Sequence, residues 1–243
     1  MFKFNFWSLA IGTGLVLGYL LALRRAKKAG IPEREFETGI WWALIVGFVV
    51  SRMVEVIFYR PDLLQTEGWI TLFKVTEGIS SYGGFLGGTL GLAGYYLYKR
   101  KRWWREADIL VEAFMVGWVF GRLGCTVAGD HPGPRCAEAW WAFHYPDGPR
   151  HNLGFYEMLF TLLLIVPVNV WLNRRPQPEG RVLGVTCLIY GVCRFGLDFL
   201  RATDVAHPDP RYAGLTLAHY TSAAVALFGA CLLFRRSRDT VQT

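Results

Sequence analysis

The chain has 243 residues, of which 53% are hydrophobic, with 17 Phe, 11 Tyr and 10 Trp and a formal net charge of +7. Such a length suits a soluble domain, but here the apolar residues gather into about seven stretches that approach or exceed the ~20 residues needed to cross a ~30 Å hydrocarbon core. The mean hydropathy of only +0.26 follows from charged loops diluting those spans, and basic residues scattered over separate loops argue against a nucleic-acid face.

In chain order the predicted spans are 6–23, 37–58, 79–98, 108–125, 154–172, 182–200 and 214–234. The first follows only Lys3, lacks a small-residue cleavage pattern and precedes Arg24, Arg25, Lys27 and Lys28. Those flanks are the reverse of a secretory signal's and predict an uncleaved helix with its N-terminus outside. Basic residues then alternate between the two sides. Sixteen Lys and Arg fall in the segments after spans one, three, five and seven, against seven on the other side: Lys3, Arg60, Lys74, Arg135, Arg150, Arg201 and Arg211. The positive-inside rule places the N-terminus in the extracytoplasmic space and the C-terminus in the cytoplasm.

Two outer connections are longer than turns. Residues 59–78 carry Trp69, Ile70, Leu72 and Phe73, a composition suited to the membrane interface, and 126–153 carries three of the five histidines and four of the eleven prolines. The expected architecture is all-α: a polytopic membrane bundle of about seven transmembrane helices, with 1–243 forming one integral membrane domain and 126–153 a small extracytoplasmic cap. Cys187, Cys193 and Cys231 lie in apolar spans and read as small core residues. Cys125 and Cys136 share the outer side, where spacing alone establishes no disulfide.

Charges remain inside the spans: Arg52, Arg122, Arg194, Glu55, Glu112, Glu157 and Asp198. Each costs about 2.5–3.5 kcal/mol near the bilayer centre unless it meets a partner or a wet cavity. Arg52 and Glu55 stand at i,i+3 and Arg194 and Asp198 at i,i+4, so each pair shares a helix face. Arg122 lies in Gly121-Arg122-Leu123-Gly124-Cys125, followed by Gly129-Asp130-His131-Pro132-Gly133. Glycines there let the helix break, and an arginine at such a break offers a fork of donors suited to phosphate oxygens. In Tyr82-Gly83-Gly84-Phe85-Leu86-Gly87-Gly88 the pairs Gly83/Gly87 and Gly84/Gly88 have the small-xxx-small spacing of close helix packing.

These segments resemble the prolipoprotein diacylglyceryl transferase family over nearly the whole chain. The resemblance is carried by Trp7 through Arg25, Arg52, Tyr82-Gly83-Gly84, the Gly121–Gly133 block, His-Asn-Leu-Gly-Phe-Tyr-Glu at 151–157 and Arg194-Phe195-x-x-Asp198-Phe199-x-Arg201. Four short motifs in the right order make it specific. The chain departs from the pattern at Tyr82, where the family has His, at Cys125, where it has Asn, and at Asp130 and Asp198, where it has Glu.

The resemblance implies a bacterial inner-membrane enzyme that transfers diacylglyceryl from phosphatidylglycerol to the lipobox cysteine thiol of prolipoproteins, without cofactor or metal. Its partners would be phosphatidylglycerol, the prolipoprotein signal peptide and membrane lipids, and no nucleic acid. Arg122 and Arg194 would bind phosphate and stabilise the leaving group, and Tyr82 would orient the headgroup. Asp130 and Asp198 would hold the arginines, and Gly133 would leave room for lipid. Trp7, Arg52, Gly83, Gly84, Cys125, His151, Tyr156, Glu157 and Arg201 complete the expected substrate contacts. Alternatives are a paralogue with another lipid donor or acceptor, an inactive lipid- or lipoprotein-binding protein, and a transporter, for which no internal repeat is found. A zinc site among His131, His144, His151, Cys125, Cys136 and Asp130 matches no familiar ligand spacing.

Overall fold

The computed structural model describes residues 6–74, 78, 80–205 and 208–241, with the side chains of 236–241 outside the description. Lys3, residue 79 and the side chains of Arg236 and Arg238, all used in the sequence reading, lie outside the described residues.

Among the described residues, five helical segments are long and apolar enough to cross a membrane: Phe6–Lys28, Glu33–Tyr59, Trp104–Ala128, Leu153–Leu172 and Leu217–Arg235. They contain helices α1 (Phe6–Lys28), α2 (Glu33–Val54), α5 (Trp104–Ala128), α6 (Leu153–Phe160) and α7 (Val166–Leu172), and the greater part of α9 (Leu217–Val241). The remaining predicted spans are also helical. They form α4 (Ser81–Tyr98) and α8 (Arg181–Asp198), of 18 residues each. Glycine and tyrosine lower the hydropathy of α4, and Arg181, Arg194 and Asp198 interrupt α8. Basic residues expected in the loop after span one instead extend α1, whose last turn holds Arg25, Lys27 and Lys28 beside the unpaired carbonyls. A π-helical turn at Thr161–Ile165 joins α6 to α7. Pro167 has no N–H for the carbonyl four residues back, and its ring needs the space that a widened turn supplies.

The all-α expectation needs one amendment. Residues 126–153, expected to form a small cap on an all-α bundle, contain a three-stranded antiparallel sheet in the order β1 (Pro132–Arg135), β3 (Gly148–Asn152), β2 (Phe143–Tyr145). Its prolines and glycines break helices but tolerate extended backbone at edges and bulges. A short ribbon, β4 (Arg211–Tyr212) with β5 (Leu215–Thr216), precedes α9. The connection 59–78 includes α3 (Pro61–Glu67) and a 3₁₀ helix at Gly68–Phe73. There Trp69, Ile70 and Phe73 are exposed, as an interfacial segment requires.

The chain separates into two compact units, residues 25–107 and residues 1–24 with 108–243. In the first unit α2 and α4 approach through small residues. A Cβ added at Gly83 would lie 2.6 Å from Ser51 Cα, at Gly87 2.5 Å from the Val46 carbonyl oxygen, and at Gly91 2.4 Å from that of Trp42. Gly84 and Gly88 meet their nearest neighbours at 3.8 and 3.6 Å, so the i,i+4 stripe that packs tightly is 83/87/91. In the second unit Gly14 and Gly117 abut reciprocally between α1 and α5. Between α8 and α9, Gly191 lies against Ser222 and Ala226, and Gly229 against Gly184 and Leu188. Small residues serve where lipid gives helices no hydrophobic reason to associate, because backbone approach maximises dispersion contact. Around Met115, Ile165 and Tyr190 the second unit also has an apolar core, with Trp118, Phe160 and Ile189 packed against it.

Candidate functional site

In the second unit α5, α6 and α8 each direct a charged side chain to one buried point. Arg122 from α5, Glu157 from α6 and Arg194 from α8 are 5%, 1% and 5% exposed, well below what an unpaired charge tolerates. Glu157 lies between the two arginines. Its Oε1 is 3.1 Å from Arg122 Nε and its Oε2 is 3.5 Å from Arg194 Nε. The same Oε1 accepts hydrogen bonds from Trp118 Nε1 at 3.1 Å and Tyr190 Oη at 2.7 Å. Trp118 and Arg122 are four residues apart, and the Arg122 guanidinium carbon sits 4.3 Å from the Trp118 ring centroid. Tyr190, Arg194 and Asp198 continue the same spacing along α8, so a single helix face carries all three.

Asp198 holds the far side of Arg194, accepting from its Nη1 at 2.8 Å. Thr216 donates its hydroxyl to the other Asp198 oxygen, and its N–H to His219 Nδ1 at 3.2 Å. The segment that opens α9 is thereby tied to the arginine.

Arg122 is held differently. Gly129 ends α5 in a left-handed conformation, φ +67°, and turns the chain back over the helix. Asp130 and His131 follow. His131 Nε2 lies 3.0 Å from Arg122 Nη1, and Asp130 Oδ1 lies 2.5 Å from His131 Nδ1. Asp130 therefore reaches Arg122 through His131 rather than by the direct pairing expected from the sequence. Burial pushes the His131 pKa below the ordinary imidazole value, as do Arg122 and Arg201, against the opposing Asp130 carboxylate. Burial alone would raise the Asp130 pKa, but its bond from His131 and the Arg122 charge bring it below the usual carboxylate value. Nη2 of Arg122 makes no hydrogen bond among the described residues.

Cys125 Sγ, Asp130 and His131 offer ligand atoms within 4.8 Å of one another. Arg122 Nη1, however, faces both the His131 lone pair and, at 3.8 Å, Cys125 Sγ. A guanidinium at that point repels a metal cation and competes for its ligands. His144 and Cys136 are not in this group, and His144 instead faces Glu138 at 3.2 Å. All five cysteines are free thiols, and Cys231, read as a core residue, is exposed.

The other expected site residues have these places. Trp7 covers Gly124, whose added Cβ would sit 3.2 Å from Trp7 Cδ1. Gly133 accepts a bond from Arg150 at 3.1 Å, and the space beside it is filled by His151 and Leu153 at 3.0 Å. His151 Nδ1 pairs with Tyr156 Oη at 2.5 Å. Arg201 binds Asp209 at 2.6 Å through Nε and leaves Nη1 buried without a hydrogen bond among the described residues. Arg52, Tyr82, Gly83 and Gly84 belong to the other unit. There Arg52 donates to the Thr71 carbonyl at 3.1 and 2.8 Å and to the Gly78 carbonyl at 2.9 Å, so it clamps the connection after α2.

Sequence reasoning missed Arg150, counting it only as an outer basic residue. It is fully buried and binds Asp147, Asp204 and the Gly133 carbonyl, joining the sheet to the segment after α8. Trp118 and Tyr190 were missed too, although each stands four residues before an intramembrane arginine.

These observations define a class: a multi-pass membrane protein whose helices converge two arginines on one buried carboxylate, an arrangement suited to an anionic ester. The chain belongs to the prolipoprotein diacylglyceryl transferase family, which matches residues 1–235. It is 30% identical to the phosphatidylglycerol–prolipoprotein diacylglyceryl transferase of Idiomarina loihiensis, over 97% of this chain and 89% of that one. The enzyme of that name from Methylococcus capsulatus is 28% identical over 95% and 90% of the two chains. For the one from Vibrio vulnificus the identity is 34%, over 79% and 72%.

Proposed function

We propose that this protein transfers diacylglyceryl from phosphatidylglycerol to the lipobox cysteine of prolipoproteins. The observation that carries the reading is the convergence of Arg122 and Arg194 on Glu157 from separate helices. The lipid phosphate would take donors from both guanidiniums, including the unengaged Nη2 of Arg122. The thiol sulfur attacks the glyceryl CH₂ carbon, its C–O bond to phosphate breaks, and the electron pair leaves on the phosphate oxygen. Charge grows on that oxygen, and fixed cations in a water-poor site stabilise it more in the transition state than in the ground state. Asp198 and Glu157 hold the arginines in place, and no cofactor is required.

The reading includes seven spanning helices in a single membrane domain, with the N-terminus extracytoplasmic and the C-terminus cytoplasmic. The sheet of β1–β3 then caps the outer side of a bacterial inner membrane, where the signal peptide presents its cysteine. The test is glycerol phosphate release from phosphatidylglycerol and a lipobox peptide by purified protein. Turnover lost in Arg122→Ala and Arg194→Ala is expected, by about 10²–10³-fold for each electrostatic group. Tight, arginine-dependent lipid binding with no turnover by the wild type would replace the enzyme with a binding protein.

A further inference from the structure

Asp130 and His131 lie against Arg122, yet the reaction above leaves the thiol proton without an acceptor. Resting on that reaction, we propose that His131 is the base that takes this proton, with Asp130 fixing its tautomer and Arg122 covering its lone pair until lipid phosphate binds.

The tautomer follows from donor and acceptor chemistry. A guanidinium has only donors, so the His131 Nε2 that lies 3.0 Å from Arg122 Nη1 must accept. The proton is then on Nδ1, which donates to Asp130 Oδ1 at 2.5 Å. A carboxylate behind one ring nitrogen and a lone pair on the other is the arrangement that lets imidazole act as a base. The backbone is fixed as well, by the Gly129 turn and by a bond from Leu153 N to the His131 carbonyl at 3.0 Å. Charged groups facing the ring are Asp130 and Arg122, with Arg201 and Glu157 farther off. Their combined effect with burial leaves the ring neutral near pH 7. The other described histidines are engaged elsewhere: His144 with Glu138, His151 with Tyr156, and the fully buried His219 with Thr216.

A phosphate oxygen is a stronger acceptor for a guanidinium than a neutral imidazole is. Its arrival at Arg122 draws Nη1 away and exposes Nε2 only when donor lipid is in place. The step balances. Nε2 takes the thiol proton, the sulfur pair forms the S–C bond, the C–O pair leaves with glycerol phosphate, and the imidazolium returns its proton to the departing phosphate or to water. The base is needed because a thiol of reference pKa ~8.5 is only a few per cent ionised at pH 7.

The experiment uses the full-length protein in phosphatidylglycerol nanodiscs with a lipobox peptide, and a second peptide carrying selenocysteine, whose selenol is already ionised at neutral pH. His131→Gln is expected to lower kcat/KM for the cysteine peptide at pH 7 on the order of 100-fold. The selenocysteine peptide recovers most of that loss, added imidazole recovers part, and lipid binding changes by less than about threefold. In the wild type the acidic limb of the pH–rate profile with the cysteine peptide lies below the imidazole reference value of ~6.5 and is absent with selenocysteine, which decides the matter even if His131→Gln fails to fold. By contrast, a limb centred at the thiol value of ~8.5 means that the thiol ionises without a base and overturns the proposal. A limb identical for the two peptides, or a His131→Gln protein within about threefold of wild type, overturns the base while leaving the transferase reading intact. No turnover by the wild type with either peptide overturns the transferase reading and the base together.

Discussion

Replacing Glu157 with Gln removes the carboxylate shared by Arg122 and Arg194 with little change in volume. Both arginines are buried, and groups on opposite oxygens of one carboxylate are roughly 7 Å apart, which at an effective dielectric of about 20 gives a repulsion of about 2 kcal/mol. The lost attraction adds to this, and breaking a buried pair from one side typically costs about 3–5 kcal/mol in all. Trp118 and Tyr190 still find an amide oxygen, so their bonds contribute little to the loss. Glu157→Gln should melt on the order of 10 °C below wild type in neutral detergent. Phosphatidylglycerol, whose phosphate charge is not offset by a headgroup cation as it is in phosphatidylcholine, should recover a larger share of that loss. Thermal unfolding in mixed micelles of each lipid measures both effects. A variant that melts with wild type, or that responds equally to the two lipids, would refute the view that one carboxylate balances two arginines at a phosphate site.

Two further outcomes are expected. Asp204, held at a pKa of about 2 by its bond from Arg150, and Asp147, lowered by the same guanidinium, tie the sheet to the segment after α8. Carboxylates with depressed pKa values stabilise fully above the unfolded value of ~3.9 and lose that contribution as pH falls through the folded one. Hydrogen exchange in 130–152 should therefore be flat from pH 7 to about 4, after allowing for intrinsic rates, and should speed up below that. Arg150→Ala should raise it roughly tenfold or more even at neutral pH, and unchanged protection would count against the tie. Gly87→Ala places a methyl 2.5 Å from the Val46 carbonyl and should destabilise by about 1–3 kcal/mol. Gly94→Ala, with nothing within 4 Å, should leave the melting temperature unchanged or slightly raised, and equal melting of the two variants would contradict the packing stripe.

The apolar runs and alternating basic loops were enough to predict a membrane bundle, because hydrocarbon thickness sets span length whatever the neighbours. The i,i+4 spacing of Arg194 and Asp198 likewise announced their pairing, a local consequence of helix geometry. Arg122 and Arg194 stood out in the sequence because charge in a span is costly. The spacing of Trp118 before Arg122 and of Tyr190 before Arg194 carried the same signal and was overlooked.

Other features had no sequence signal. The sharing of Glu157 by two arginines joins residues 35 and 37 positions apart along the chain. The fold-back of His131 onto Arg122 depends on one left-handed glycine, and the burial of Arg150 depends on Asp204, far along the chain. Periodicity reports which face of an element is apolar or charged. Which faces then meet depends on backbone approach at glycines and on satisfying every buried charge at once, and those are properties of the assembled helices.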